Sequence, residues 1–154
     1  MMSKKQGRYE RLTEQIRELL KKSPNPQSEM ATVVAILHNK MPEFFWTGFY
    51  LLNESGDLCV NTYQGSVACQ VLQKNVGVCW ACINQQKPVV VDNVHEFEGH
   101  IACDSRTNSE IVIPVFSKAS GKVVGCLDID SEKLSTFDAD DAEGLTKIVG
   151  LLTI

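Results

Sequence analysis

The chain has no run approaching the ~18 consecutive apolar residues that a membrane span needs. Its first residues, Met1-Met2-Ser3-Lys4-Lys5-Gln6, carry charge with no apolar stretch behind them, so no secretory leader is expected and the cytoplasm is the default location. The 15 basic residues are scattered, adjacent only at Lys4-Lys5 and Lys21-Lys22, and 19 acidic ones outnumber them to give a net charge of -4. A nucleic-acid binder would concentrate its basic residues on one face, so nucleic acid is not expected as a partner. No repeat, low-complexity run or linker divides the 154 residues, and a single domain over 1–154 is the expectation. That length buries a sufficient core without disulfide staples. The six cysteines therefore do not read as a structural disulfide framework. In a reducing compartment, disulfides are mostly transient and catalytic.

Hydrophobic spacing organises what is present. Tyr9, Leu12, Ile16, Leu19 and Leu20 recur at helical intervals, which predicts a helix over 5–22; Met30, Val33, Val34, Leu37 and Met41 predict a second over 27–41. From Phe45 the period changes. Trp46 to Leu52 and residues 58–64 read as strands joined by the turn Asn53-Glu54-Ser55-Gly56-Asp57. Residues 65–76 read as a loop with a short strand, 78–86 as a helix and 89–91 as a buried strand. The polar segment 92–108 is too long for a mere connector, and such loops are often functional. Ile111–Lys118 and Lys122–Asp130 form a second hairpin, and Asp138 with Asp141 reads as a capping box opening a helix from Ala139 to about Leu152. Two hairpins with flanking helices predict an α+β fold, a central antiparallel-rich sheet covered by helices.

Three cysteines stand in loops among small and polar residues: Cys69 after Gly65-Ser66-Val67-Ala68, Cys79 after Gly77-Val78, and Cys103 before Asp104-Ser105-Arg106-Thr107-Asn108. Thiols so placed reach solvent and substrate, and Arg106 or His100 is positioned to favour a Cys103 thiolate. Cys59 and Cys126 lie inside strands and read as core. Cys79-Trp80-Ala81-Cys82 is formally a CxxC, but the βαβ setting of dithiol oxidoreductases is missing, and Cys82 reads as helix packing. Asp128 and Asp130 fall on one face of a strand by its period of two, and Glu110 opens the neighbouring strand. Three carboxyls converging on one pocket would hold a cationic amine, and one kept protonated by burial would serve as a general acid. Cys69, Cys79, His95, His100 and Cys103 include enough donors for zinc but lack the tight paired spacing of structural zinc sites.

The constellation resembles the free methionine-(R)-sulfoxide reductases, single GAF-domain enzymes. The resemblance runs over roughly 44–145. It is carried by Trp46-Thr47-Gly48-Phe49-Tyr50, Gln64-Gly65 with Ala68-Cys69, Gly77-Val78-Cys79, Gly99-His100-Ile101-Ala102-Cys103-Asp104, Ser109-Glu110-Ile111-Val112 and Leu127-Asp128-Ile129-Asp130-Ser131. It implies a GAF-like fold with N-terminal helices at 5–41 and a catalytic core at about 44–145. It also implies Cys103 as nucleophile, Cys69 as resolving thiol and Cys79 as an auxiliary thiol. Glu110, Asp128 and Asp130 would hold the substrate, with Trp46 and Tyr50 lining its methyl-sulfoxide end. Trp80 and Cys82 depart from the family's pattern.

The chemistry agrees with the residue types. A protonated sulfoxide is electrophilic at sulfur, a thiolate attacks it, and the resulting sulfenic acid condenses with a second thiol. No metal or organic cofactor is called for. The partners are free methionine sulfoxide and an external dithiol, which the resemblance identifies as thioredoxin. The competing reading is a non-catalytic GAF ligand-binding or redox-sensing module. Such modules usually serve a fused output domain, for which 154 residues leave no room. The sequence is silent on oligomeric state, and a homodimer stays open.

Overall fold

In a computed structural model describing residues 1–100 and 103–154, the two N-terminal helices and the last one begin at side-chain caps. Helix α1 (Lys4–Leu20) starts at Ser3, which shares a capping box with Gln6; α2 (Pro26–Lys40) starts at Asn25, with proline just inside. The expected box of Asp138 and Asp141 opens α4 (Ala139–Val149). That helix stops before Gly150, a poor helix former, rather than at Leu152. Between α2 and α4 run six strands, β1 (Trp46–Leu52), β2 (Leu58–Gln64), β3 (Val71–Leu72), β4 (Val89–Val91), β5 (Ser109–Phe116) and β6 (Val123–Ser131), with helix α3 (Gly77–Gln85) between β3 and β4. They form one sheet in the order β3-β2-β1-β6-β5-β4, each neighbouring pair antiparallel. The antiparallel α+β expectation is met.

The strand period divides this sheet into two unlike faces. Phe49, Ile111, Ile113, Leu127 and Ile129, each fully buried, share a core with Tyr9, Ile16, Met30, Leu37, Leu145 and Ile148 of α1, α2 and α4. Alternate residues Trp46, Tyr50, Val112 and Cys126 turn the other way and pack with Val78, Cys82 and Ile83 of α3. The result is three layers: helices, sheet, then α3 with its loops. One close approach seals the first layer. A Cβ on Gly144 would stand 2.7 Å from Tyr9 Cβ, so only glycine lets α4 seat against α1. There the Tyr9 hydroxyl donates to Asp141 Oδ1 at 2.6 Å, and Lys5 Nζ pairs with Asp141 Oδ2 at 2.6 Å.

Cys59 corrects the expectation of a core thiol. It is half-buried, whereas Leu58 beside it, on the opposite face of β2, is fully buried on the α3 side of the sheet. The described residues of segment 92–108 form no strand and include a 3-10 turn at Val94–Glu96. Ile101 and Ala102 of the Gly99–Asp104 motif lie outside the described residues.

Candidate active site

Register across three strands builds the floor of the site. Trp46 pairs with Asp130 and Asp130 with Glu110; one step along, Gly48 pairs with Asp128 and Asp128 with Val112. Paired residues share a face, so Glu110, Asp128 and Asp130 stand together beside Trp46. Above this floor lies a cavity lined by Trp46, Tyr50, Cys79, Cys103 and the three carboxyls. Cys69 and Cys103 are joined in a disulfide with Cα atoms 6.0 Å apart, which ties the loop after β2 to the segment before β5.

Electrostatics separates the groups on the floor. Glu110 and Asp128 are each 5% exposed. Burial pushes both carboxyls well above the usual range, and repulsion from Asp130 on Glu110 and from Glu110 on Asp128 adds to it. Asp130 is raised by burial and by the charge of Asp128. Asp128 Oδ1 and Asp130 Oδ1 are buried and have no hydrogen-bond partner among the described residues. Buried carboxyl oxygens normally find donors, so these two mark places where a ligand's donors would sit. His100 places Nε2 3.6 Å from Glu110 Oε1, and burial lowers its pKa.

The aromatic wall is a stack. The Trp46 ring lies between Tyr50 and Tyr63, with centroids 5.8 and 5.3 Å away. Its indole N–H donates to the Ser66 carbonyl at 2.9 Å, anchoring the loop that carries Cys69. A Cβ on Gly48 would come within 2.6 Å of Trp46 Cη2, so glycine here lets the ring lie flat over β1.

Each anticipated site residue can now be placed. Cys103, Cys79, Trp46, Tyr50, Glu110, Asp128 and Asp130 line the cavity, and Cys69 is bonded to Cys103 at its edge, next to the lining residue Ala68. The charged neighbours expected to favour a Cys103 thiolate are engaged elsewhere. His100 faces Glu110, whereas Arg106 grips Asp104 (Nε and Nη2 at 3.0 and 2.7 Å) and lies 4.5 Å over the Phe45 ring. The hydrogen bonds from Arg106 hold the Asp104 carboxyl well below the usual range. The two cysteines of the CxxC part company. Cys79 is buried in the first turn of α3 at the cavity, its thiol pushed up by the neighbouring Cys126 thiol and by burial. Cys82 packs toward β5, its thiol 3.7 Å from the Val112 carbonyl. The five-residue zinc set does not assemble, since Cys69 and Cys103 are bonded to each other and His95 Nε2 meets Asn108 Oδ1 at 2.8 Å.

Two residues of the site escaped the sequence reading, Tyr63 behind Trp46 and Thr107 in the cavity lining. Tyr63 sits opposite Gly48 on β2, so the register of the first hairpin carried its signal. Thr107, only 4% exposed and facing Asp130, stands in a polar run where nothing marked it out.

Residues 27–154 match the GAF-domain family model. Over 123 residues the chain is 37% identical to the free methionine-R-sulfoxide reductase of Escherichia coli strain K12, covering 80% of this chain and 73% of that protein. The chain belongs to the free methionine-(R)-sulfoxide reductase family. Within and around this family, the chain is 41% identical to GAF domain-containing protein A of Dictyostelium discoideum, covering 96% and 92% of the two chains. The free methionine-R-sulfoxide reductase of Neisseria meningitidis, solved in complex with its substrate, superposes with a TM-score of 0.92 at 34% identity. That superposition covers 99% of this chain and 90% of the other. The GAF-like fold and the expected family are both borne out.

Proposed function

We propose that the protein reduces free L-methionine (R)-S-oxide to L-methionine, with Cys103 as nucleophile and Cys69 as resolving thiol. One observation carries this reading: Cys103, disulfide-bonded to Cys69, lines a cavity floored by three carboxyls, Glu110 and Asp128 buried and Asp130 partly so, two of whose oxygens have no partner among the described residues. A free amino acid differs from a peptide residue by its ammonium and carboxylate groups, and three close carboxyl groups that retain even one negative charge offer the ammonium acceptors and a counter-charge. Trp46 and Tyr50 supply the apolar wall for the methyl-sulfoxide end.

In the reduced protein the Cys103 thiolate attacks the sulfoxide sulfur while a carboxyl kept neutral by burial, Glu110 or Asp128, protonates the departing oxygen. The oxygen departs as water while the Cys103–sulfur bond forms; water then attacks Cys103 Sγ and breaks that bond, so methionine leaves with the electron pair and Cys103 becomes a sulfenic acid. The Cys69 thiol then displaces water to form the disulfide, and an external dithiol, thioredoxin, reduces it by exchange. Cys79 is an auxiliary thiol in this cycle, and its raised pKa makes it a slow one. The cycle runs in the cytoplasm within a single domain, and it uses no resident cofactor. Among the described residues, no helix is long and apolar enough to cross a membrane.

A thioredoxin-coupled assay with free R and S epimers and a peptide-bound sulfoxide tests this directly. Turnover of the free R epimer alone is the expected result. Equal turnover of the peptide substrate would remove the ammonium from the recognition scheme.

A further inference from the structure

The floor of the cavity contains one group that recognition of an amine does not need. Cys79 Sγ and one oxygen each from Glu110 and Asp128 lie within 4.8 Å of one another, and all three residues are buried. A thiol is a weak acceptor and adds little to an ammonium site. A thiolate beside two carboxylates is instead a donor set for a thiophilic divalent cation. Tetrahedral zinc, with bonds of about 2.0–2.3 Å, spaces its donors about 3.5 Å apart, so the three atoms need close by little more than ~1 Å.

A second observation points the same way. Asp128 Oδ1 is buried at the cavity and has no partner among the described residues. His100 Nε2 lies 3.6 Å from Glu110 Oε1 but outside the three-atom cluster. The cluster shares only Cys79 with the five zinc-capable residues apparent in the sequence. It is assembled by the register of β5 on β6 and by the first turn of α3.

We propose that Cys79, Glu110 and Asp128 form a binding site for a thiophilic divalent cation of the zinc class, which excludes substrate from the cavity floor. Such occupancy makes the metal a reversible inhibitor acting through a thiol outside the Cys69–Cys103 couple. The exclusion rests on the reductase reading, which seats the substrate ammonium on the same carboxyls. The metal site itself does not.

The test uses the full chain in its disulfide form, so that Cys69 and Cys103 cannot ligate, titrated with Cd2+ alone. We expect one Cd2+ per chain and a thiolate-to-cadmium absorption band that vanishes in Cys79→Ser and persists in Cys59→Ser. Asp128→Asn retains the thiol and should weaken binding at least about tenfold, as loss of a ligand does. Absence of stoichiometric binding, a band that persists in Cys79→Ser, or undiminished affinity in Asp128→Asn overturns the site. None of these measurements involves substrate, so their failure leaves the reductase reading untouched. Free methionine sulfoxide added to the Cd2+ form should raise the apparent Kd. An unchanged Kd would overturn the exclusion and take the ammonium off this floor.

Discussion

The two faces of strand β6 differ by one residue of register and by everything else. Leu127 and Ile129 face α1, α2 and α4 and are fully buried among apolar side chains. Cys126 packs against α3 while Asp128 and Asp130 line the cavity, where burying carboxyl oxygens costs free energy that no donor among the described residues returns for two of them. The apolar face holds the sheet rigid, and that rigidity lets the other face keep acidic groups close together in poorly solvated surroundings. Stability and chemistry are thus separated by the pleat. Changes on one face should leave the property of the other intact.

The largest effect expected on the cavity side is Cys103→Ser. Serine is a far poorer nucleophile at neutral pH, so turnover should fall by at least about a thousandfold with Tm near that of the reduced protein. Retained turnover would take Cys103 out of the chemistry. On the helix side, Leu127→Ala should cost about 3 kcal/mol of stability, while kcat/KM of the folded fraction stays at the wild-type value; denaturant melts and assays below the transition read both. Loss of activity without loss of stability would break the separation of the faces.

Asp128→Asn and Glu110→Gln keep shape and remove acidity. Each should lower kcat/KM about a hundredfold, equivalent to about 2.7 kcal/mol of transition-state stabilisation, and leave Tm unchanged or raised. Wild-type kinetics in both would dismiss the amine-binding and proton-donating roles. The smallest effect is on pH dependence. Glu110 and Asp128 have folded pKa values raised above their unfolded ones, so the native state binds more protons than the unfolded state. Their contribution is full below about pH 4 and is lost as pH rises toward the raised values. The stability difference between Asp128→Asn and wild type should therefore grow in favour of the variant as pH rises through that window. A difference independent of pH would show that Asp128 is not strained by burial.

Much of this arrangement was legible because it depends on local periodicity. The alternation around Asp128-Ile129-Asp130 predicted which carboxyls share a face, and Asp138 with Asp141 marked the start of α4. What depends on distance in space was not legible. Cys59 looked like core because a strand's sequence does not reveal how well each of its faces is covered. Tyr63 reaches the Trp46 stack through the register of β1 on β2, which shifts irregularly between Gly48 and Tyr50. Arg106 looked like a partner for Cys103 by proximity in sequence, yet its bidentate grip on Asp104 and its seat over Phe45 take the guanidinium elsewhere.

The central claim is that Cys103 attacks and Cys69 resolves above the carboxyl floor. A single-turnover experiment on reduced Cys69→Ser, with free methionine (R)-sulfoxide and no reductant, tests it most directly. The account predicts about one methionine released per chain and a sulfenic-acid probe bound at Cys103, since attack precedes resolution. Release of no methionine, or a probe found at Cys79, would contradict it.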